Sequence, residues 1–168
     1  MKKSKFSIAH KDEEMMNLVN KTDQKVLAIW AIDCAERVMH YFEEKYPQDH
    51  RPRQAIITLK TWIDTGIFKM AVIRKASLDS HAAAREVGED CPARSACRAA
   101  GQAVATAHVP RHAYGPAIYA QQAIYRATNP TEADAAVANE RNWQYQHLLD
   151  LRSDLQTKCM NFKNKIKA

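Results

Sequence analysis

Residues 22–47, "TDQKVLAIWAIDCAERVMHYFEEKYP", run without a glycine or proline until Pro47. On a helical wheel Trp30, Cys34, Leu27, Val38, Ala31, Phe42, Met39, Ile32 and their neighbours fill more than half the circumference. A helix with so broad an apolar surface must be buried on several sides. Thr22 or Asp23 supplies an N-cap. The remaining polar stripe is narrow: Asp33, Glu36, Arg37, His40 and Glu44, with Asp33 placed four residues before Arg37 in the favourable orientation for an ion pair.

The rest of the chain reads as further helices around such a segment. Asp49 lies near a cap, Pro52 falls in a first turn, and Gly66 ends a helix whose apolar face is Ala55, Ile56, Leu59, Trp62 and Ile63. A third helix is expected from about Phe68 to Gly88. Pro92 opens a fourth, with Ala96, Ala99, Ala100, Ala103, Val104 and Ala107 as one stripe of small residues that lets helix axes approach closely. Pro110 and Pro116 each remove a backbone donor, so this helix should end or kink near Val109 and a short fifth should run to about Ala127. Thr131 with Asp134 forms a capping box before a long C-terminal helix. Its seam of Leu148, Leu151, Leu155, Cys159, Phe162 and Ile166 leaves a homodimer through that helix open. Strand signals are absent. The expectation is one all-α domain of about six helices, packed as successive hairpins and compatible with an α-solenoid-like stack.

At 168 residues and 19.1 kDa the chain can bury a core without disulfides or metal. Its cysteines, Cys34, Cys91, Cys97 and Cys159, are scattered with no C-x-x-C pair, and read as reduced thiols of a cytoplasmic protein. No stretch reaches the apolar length of a membrane span. The formal charge of +6 invites a nucleic-acid reading, but residues 22–157 carry sixteen basic and sixteen acidic groups. The excess sits in residues 1–21 and 158–168, read as two basic, dispensable tails flanking a neutral body. Nucleic acid is therefore a disfavoured partner.

Three groups of residues could carry chemistry. On the fourth helix Arg94, Cys97, Gly101 and His108 form a flank that His112 would join, and His81 lies four residues before Arg85 on the third. His108 and His112 have the i, i+4 spacing of metal ligands, but the Glu of H-E-x-x-H is missing and Pro110 intervenes, so no metal is expected. Structural imidazoles, each hydrogen-bonded within the packing, are the simpler reading of His81, His108 and His112. An enzyme using His108 or His81, in a cleft beside Cys97 or a carboxylate, stays open as an alternative. No phosphate-cradling or nucleotide-cofactor motif is present, and no cofactor is expected. Finally, Arg51 and Arg53 stand at a helix start, where the macrodipole disfavours cations. Asp33 and Glu36 are the expected acidic partners, and the network of Asp33, Glu36, Arg37, Arg51 and Arg53 is the candidate for binding a partner as well as for holding helices together.

The segments "DCAERV" (33–38), "RPRQAI" (51–56) with Trp62, "HAAARE" (81–86), "AAGQAVATAHV" (99–109) and "HAYGPAIYA" (112–120) together resemble the all-helical immunity proteins of bacterial polymorphic toxin systems, in the group labelled as like immunity family five. The resemblance covers roughly residues 26–127. It departs from the family pattern at Gln102, where histidine is expected, and does not extend to the helix after Thr131. It implies a non-catalytic inhibitor of a cognate protein toxin. The competing readings are a nucleic-acid-binding helical-repeat protein and the histidine enzyme above.

Overall fold

The computed structural model describes residues 6–7 and 12–166, with side chains through residue 155. Seven helices follow in order: α1 (Glu13–Asn20), α2 (Gln24–Glu43), α3 (Arg51–Thr65), α4 (Met70–Glu86), α5 (Pro92–Ala105), α6 (Tyr114–Ala127) and α7 (Ala133–Ile166), with a 3-10 turn at Pro110–Ala113 before α6. No strand occurs among the described residues.

α2 is enclosed as its wheel demands. Eleven of its twenty residues are buried, from Val26 to Phe42, and it touches α3, α5, α6 and α7. Each large side chain buried this way contributes about 1.5–3 kcal/mol. Asp23 caps it by accepting from the backbone of Lys25 at 2.8 Å. α5 is the second centre and touches α2, α3, α4 and α6. Its alanine stripe is wholly buried, and Ala83 and Ala84 of α4 and Ala117, Ala120 and Ala123 of α6 are equally buried. Small residues on three helices permit the short end of the usual interaxial range. Because α2 and α5 each meet four helices, the hairpins wrap two shared centres instead of contacting only their sequence neighbours.

Three local readings need revision. First, the segment read as an N-terminal basic tail contains α1, with Met15, Leu18 and Val19 buried in the core and Asp12 as its N-cap. This is the seventh helix, beyond the six expected; the charge of 1–21 masked a short apolar face. Second, α5 stops at Ala105, before Pro110, and Pro116 lies inside the first turn of α6, where its missing N–H costs nothing. Third, the start of α7 is organised by Asn129, whose Oδ1 accepts from the backbones of Thr131 and Glu132 at 3.2 and 3.1 Å, and not by a Thr131–Asp134 box. Gly66 does end α3, in the left-handed conformation at φ 67°.

Along the α7 seam Leu148 is fully buried, Leu151 half-buried and Leu155 exposed. The side chains of Cys159, Phe162 and Ile166, like those of the whole basic segment 158–168, lie outside the described residues.

Candidate functional site

The arginines of the expected network are each met by carboxylates of the same chain. Arg53 donates from Nη1 to Glu36 at 2.6 and 2.8 Å and from Nε and Nη2 to Glu43 at 2.7 and 2.9 Å. Arg51 bridges Asp49, at 2.7 and 2.9 Å, to Glu86 of α4. Glu36 is thus a partner of Arg53, as the sequence suggests, while Asp33 is a partner of neither arginine. Burial pushes the Glu36 carboxyl up, yet the hydrogen bonds from Arg53 and Lys60 outweigh it and leave it below the usual range. The hydrogen bonds from Arg51 likewise hold Asp49 low.

Nor do Asp33 and Arg37 pair with each other. Arg37 reaches across to α7, where its Nε donates to both oxygens of Glu140 at 2.8 and 3.1 Å and its guanidinium lies 3.8 Å from the Trp143 ring centre. The Glu140 side chain is 1% exposed and also accepts from Gln144 at 2.9 Å. Asp33 meets His147 at 2.7 Å, and the Trp30 indole donates to the Gln144 carbonyl at 2.8 Å. These contacts clamp α7 onto α2. A buried carboxylate needs such partners, since its desolvation is otherwise uncompensated.

The opposite side of α5 is built from neutral acceptors. Gly101 leaves room for the His81 ring of α4: a Cβ there would sit 2.8 Å from the ring. His81 Nδ1 accepts from Arg98 at 3.3 Å, which places the proton of the neutral imidazole on Nε2. Burial, followed by the nearby Arg98 and Arg85 charges, pushes the His81 pKa down to about 4. At the next residue of α5, Gly115 of α6 clears space for Gln102, whose Oε1 accepts from His112 Nδ1 at 2.8 Å. Burial and the neighbouring His108 lower His112 as well. His108 itself is exposed and stacks on Phe68 at 6.4 Å between ring centres.

Two clefts open on this side. One, of about 370 Å³ between α4 and the end of α5, is lined by Met70, Ser77, Leu78, Gln102, His108 and His112. The exposed apolar side chains of Phe68, Met70 and Leu78 border it. The other, of about 540 Å³ between α5 and α6, is lined by Arg94, Arg98, Tyr119, Gln122 and Arg126, with Glu89 and Asp90 also on its wall. Cys97 faces neither: it is fully buried, and burial raises its thiol far above the ordinary value, so a thiolate paired with His108 is not assembled. No cluster of three or more metal-ligating side chains occurs among the described residues, and none of their helices is long and apolar enough to cross a membrane.

A family model described as "Imm-5 like putative immunity protein" matches residues 17–151. The chain belongs to this family. No curated protein and no solved structure matches it. The Imm-5 like match takes in the N-terminal part of α2 and most of α7, so it extends past the residues 26–127 that carry the resemblance in the sequence. In this Imm-5 like chain the position of Gln102 is occupied by a neutral acceptor that fixes His112, a role open to histidine too.

Sequence reasoning missed Arg98, Glu140 and Gln144. Arg98 and Arg94 share an i, i+4 face of α5 and were legible as a basic pair, but the acceptor of Arg98 lies 17 residues away on another helix. Glu140 and Gln144 share one face of α7, and nothing local distinguishes them from a solvated stripe.

Proposed function

We propose that this protein is a stoichiometric inhibitor that binds and neutralises a cognate protein toxin in the bacterial cytoplasm, with no turnover of its own. The observation that carries the reading is the Imm-5 like family match over residues 17–151. It is supported by a packed, pre-formed helical surface, which lowers the entropic cost of tight binding. The burial of Cys34 and Cys97 and the engagement of His81 and His112 by neighbours also favour binding over catalysis.

The capture surface in this reading is the α4–α5–α6 side, where Phe68, Met70 and Leu78 stand exposed beside the smaller cleft. Apolar groups of this kind make interface anchors once a partner covers them. The Arg51–Arg53 edge supports it structurally, since each guanidinium is already held by two carboxylates.

Co-expression with the product of the adjacent gene tests the proposal. Protection from toxicity, with a stable one-to-one complex on size exclusion, is expected. Arg51→Ala and Arg53→Ala should keep protecting, and Met70→Asp with Leu78→Asp should lose the complex. Protection without binding ends the inhibitor reading, and so does the lack of any toxic neighbour.

A further inference from the structure

Arg98 differs from the other paired arginines of α2 to α6 in the partner it has. Arg37, Arg51, Arg53 and Arg126 each meet at least one carboxylate at 3.0 Å or less, and Arg94 lies 3.8 Å from Glu89. Among the described residues, the hydrogen-bond partner of Arg98 is the neutral His81 ring. A guanidinium carries five donors in a planar fork, and one imidazole nitrogen uses one of them. Its orientation is therefore fixed while its charge is left unneutralised.

The surroundings extend this. The guanidinium lines the polar cleft between α5 and α6 with Arg94 one turn before it, and Tyr119, Gln122 and Arg126 across from it. Arg126 is fastened by Ser95 Oγ at 2.8 Å and Asp90 at 3.0 Å, and Ser95 in turn donates to Gln122 Oε1 at 3.0 Å. Asp90 takes φ 51° in the turn before α5, a conformation aspartate tolerates, which leaves its carboxylate largely exposed. Glu89 is more exposed still, at 89% of its side chain. The cleft thus has three guanidinium groups against two solvent-facing carboxylates, a balance that suits one entering anion and not the dense charge of a nucleic-acid backbone.

We infer that the α5–α6 cleft is a receptor for a single side-chain carboxylate of an acidic protein segment, with Arg98 as the bidentate donor, Arg94 as the second cation and Tyr119 as a neutral hydrogen-bond donor. The identity of the partner as the toxin rests on the function proposed above. Arg98 supplies the geometry that a planar carboxylate needs, and lysine would supply only a point charge.

The test titrates the isotope-labelled full chain with N-acetyl-triglutamate amide, inorganic phosphate and a trilysine peptide, reading the arginine Nε–H and Tyr119 resonances. Triglutamate should give saturable shifts at Arg94, Arg98 and Arg126, weakened at least tenfold by Arg98→Gln and also by Arg98→Lys, and untouched by Arg51→Gln. If Arg98→Gln loses its helical circular dichroism, Arg94→Gln and Tyr119→Phe replace it, each with an expected threefold or greater loss. No saturation, unchanged affinity in folded variants, or phosphate binding as tightly as the peptide overturns the site. The two proposals separate cleanly: a saturable peptide site in a protein that fails to protect ends the toxin reading alone, and full protection without peptide saturation ends the carboxylate receptor alone.

Discussion

The two sides of this bundle hold their arginines by different means. Where α7 and α3 close over α2, carboxylates do the work: Glu140 takes Arg37, and Glu36 and Glu43 take Arg53. Where α4 and α6 flank α5, exposed Asp90 and Glu89 meet Arg126 and Arg94 at the rim, but a histidine takes Arg98 and a glutamine takes His112. A carboxylate cancels the charge it positions. An imidazole or amide positions a group and leaves its charge to be used by something else. The first side is consequently complete in itself, and the second is where an incoming group finds unmet demand.

The contrast can be broken most forcefully at Arg37. Arg37→Ala would leave the buried Glu140 carboxylate with Gln144 as its remaining partner, and the cost should approach about 3 kcal/mol because a buried charge has lost its counter-ion. Urea denaturation measures it. A loss below about 1 kcal/mol would mean that the clamp behaves like an exposed pair and that the two sides do not differ in kind.

Gly101→Ala probes the other side with a single methyl group. Its Cβ would meet the His81 ring at 2.8 Å, so the ring must move or α4 must withdraw. A destabilisation of about 1–3 kcal/mol is expected, as for other overpacked sites. Combining it with His81→Ala should recover most of that loss, which assigns the clash to the ring.

The smallest effect is one of pH. With its folded pKa near 4, His81 is neutral in the fold, whereas the unfolded chain takes up a proton near the ordinary value of about 6.5. The unfolded state binds more protons below that value, so the His81 contribution is intact above about pH 6.5 and is lost as pH falls toward 4. His112, also lowered, acts in the same direction. The urea midpoint should therefore decline between pH 6.5 and 4.5, above the range where Asp49 and Glu36 titrate, and His81→Gln should flatten most of that slope. An unchanged slope in the variant would show that the imbalance between the two sides does not reside at His81.

How much of this was legible follows the range of the contacts. The envelopment of α2, the Gly66 stop, the Pro92 start and the alanine stripe are written in local spacing and backbone chemistry, and the helices form there. α1 was hidden because three core residues among eight give little periodicity beside so many charges. The Arg53–Glu36 pair was within reach, since both lie on polar faces of consecutive helices. Arg37–Glu140 and Arg98–His81 were not, because which face of α7 or α4 turns toward which arginine is decided by packing, and no sequence interval encodes it.

The clamp of α7 on α2 has a consequence for synthesis. Trp30 and Arg37 emerge from the ribosome long before their partners: Gln144 follows Trp30 by 114 residues and Glu140 follows Arg37 by 103. At translation rates of about 5–20 residues per second, an indole destined for the interior, and a surface guanidinium that will pair a buried carboxylate, wait roughly 5 to 20 s for the chain that completes them. Throughout that interval the apolar flanks of α2 are without their last cover, which α7 supplies.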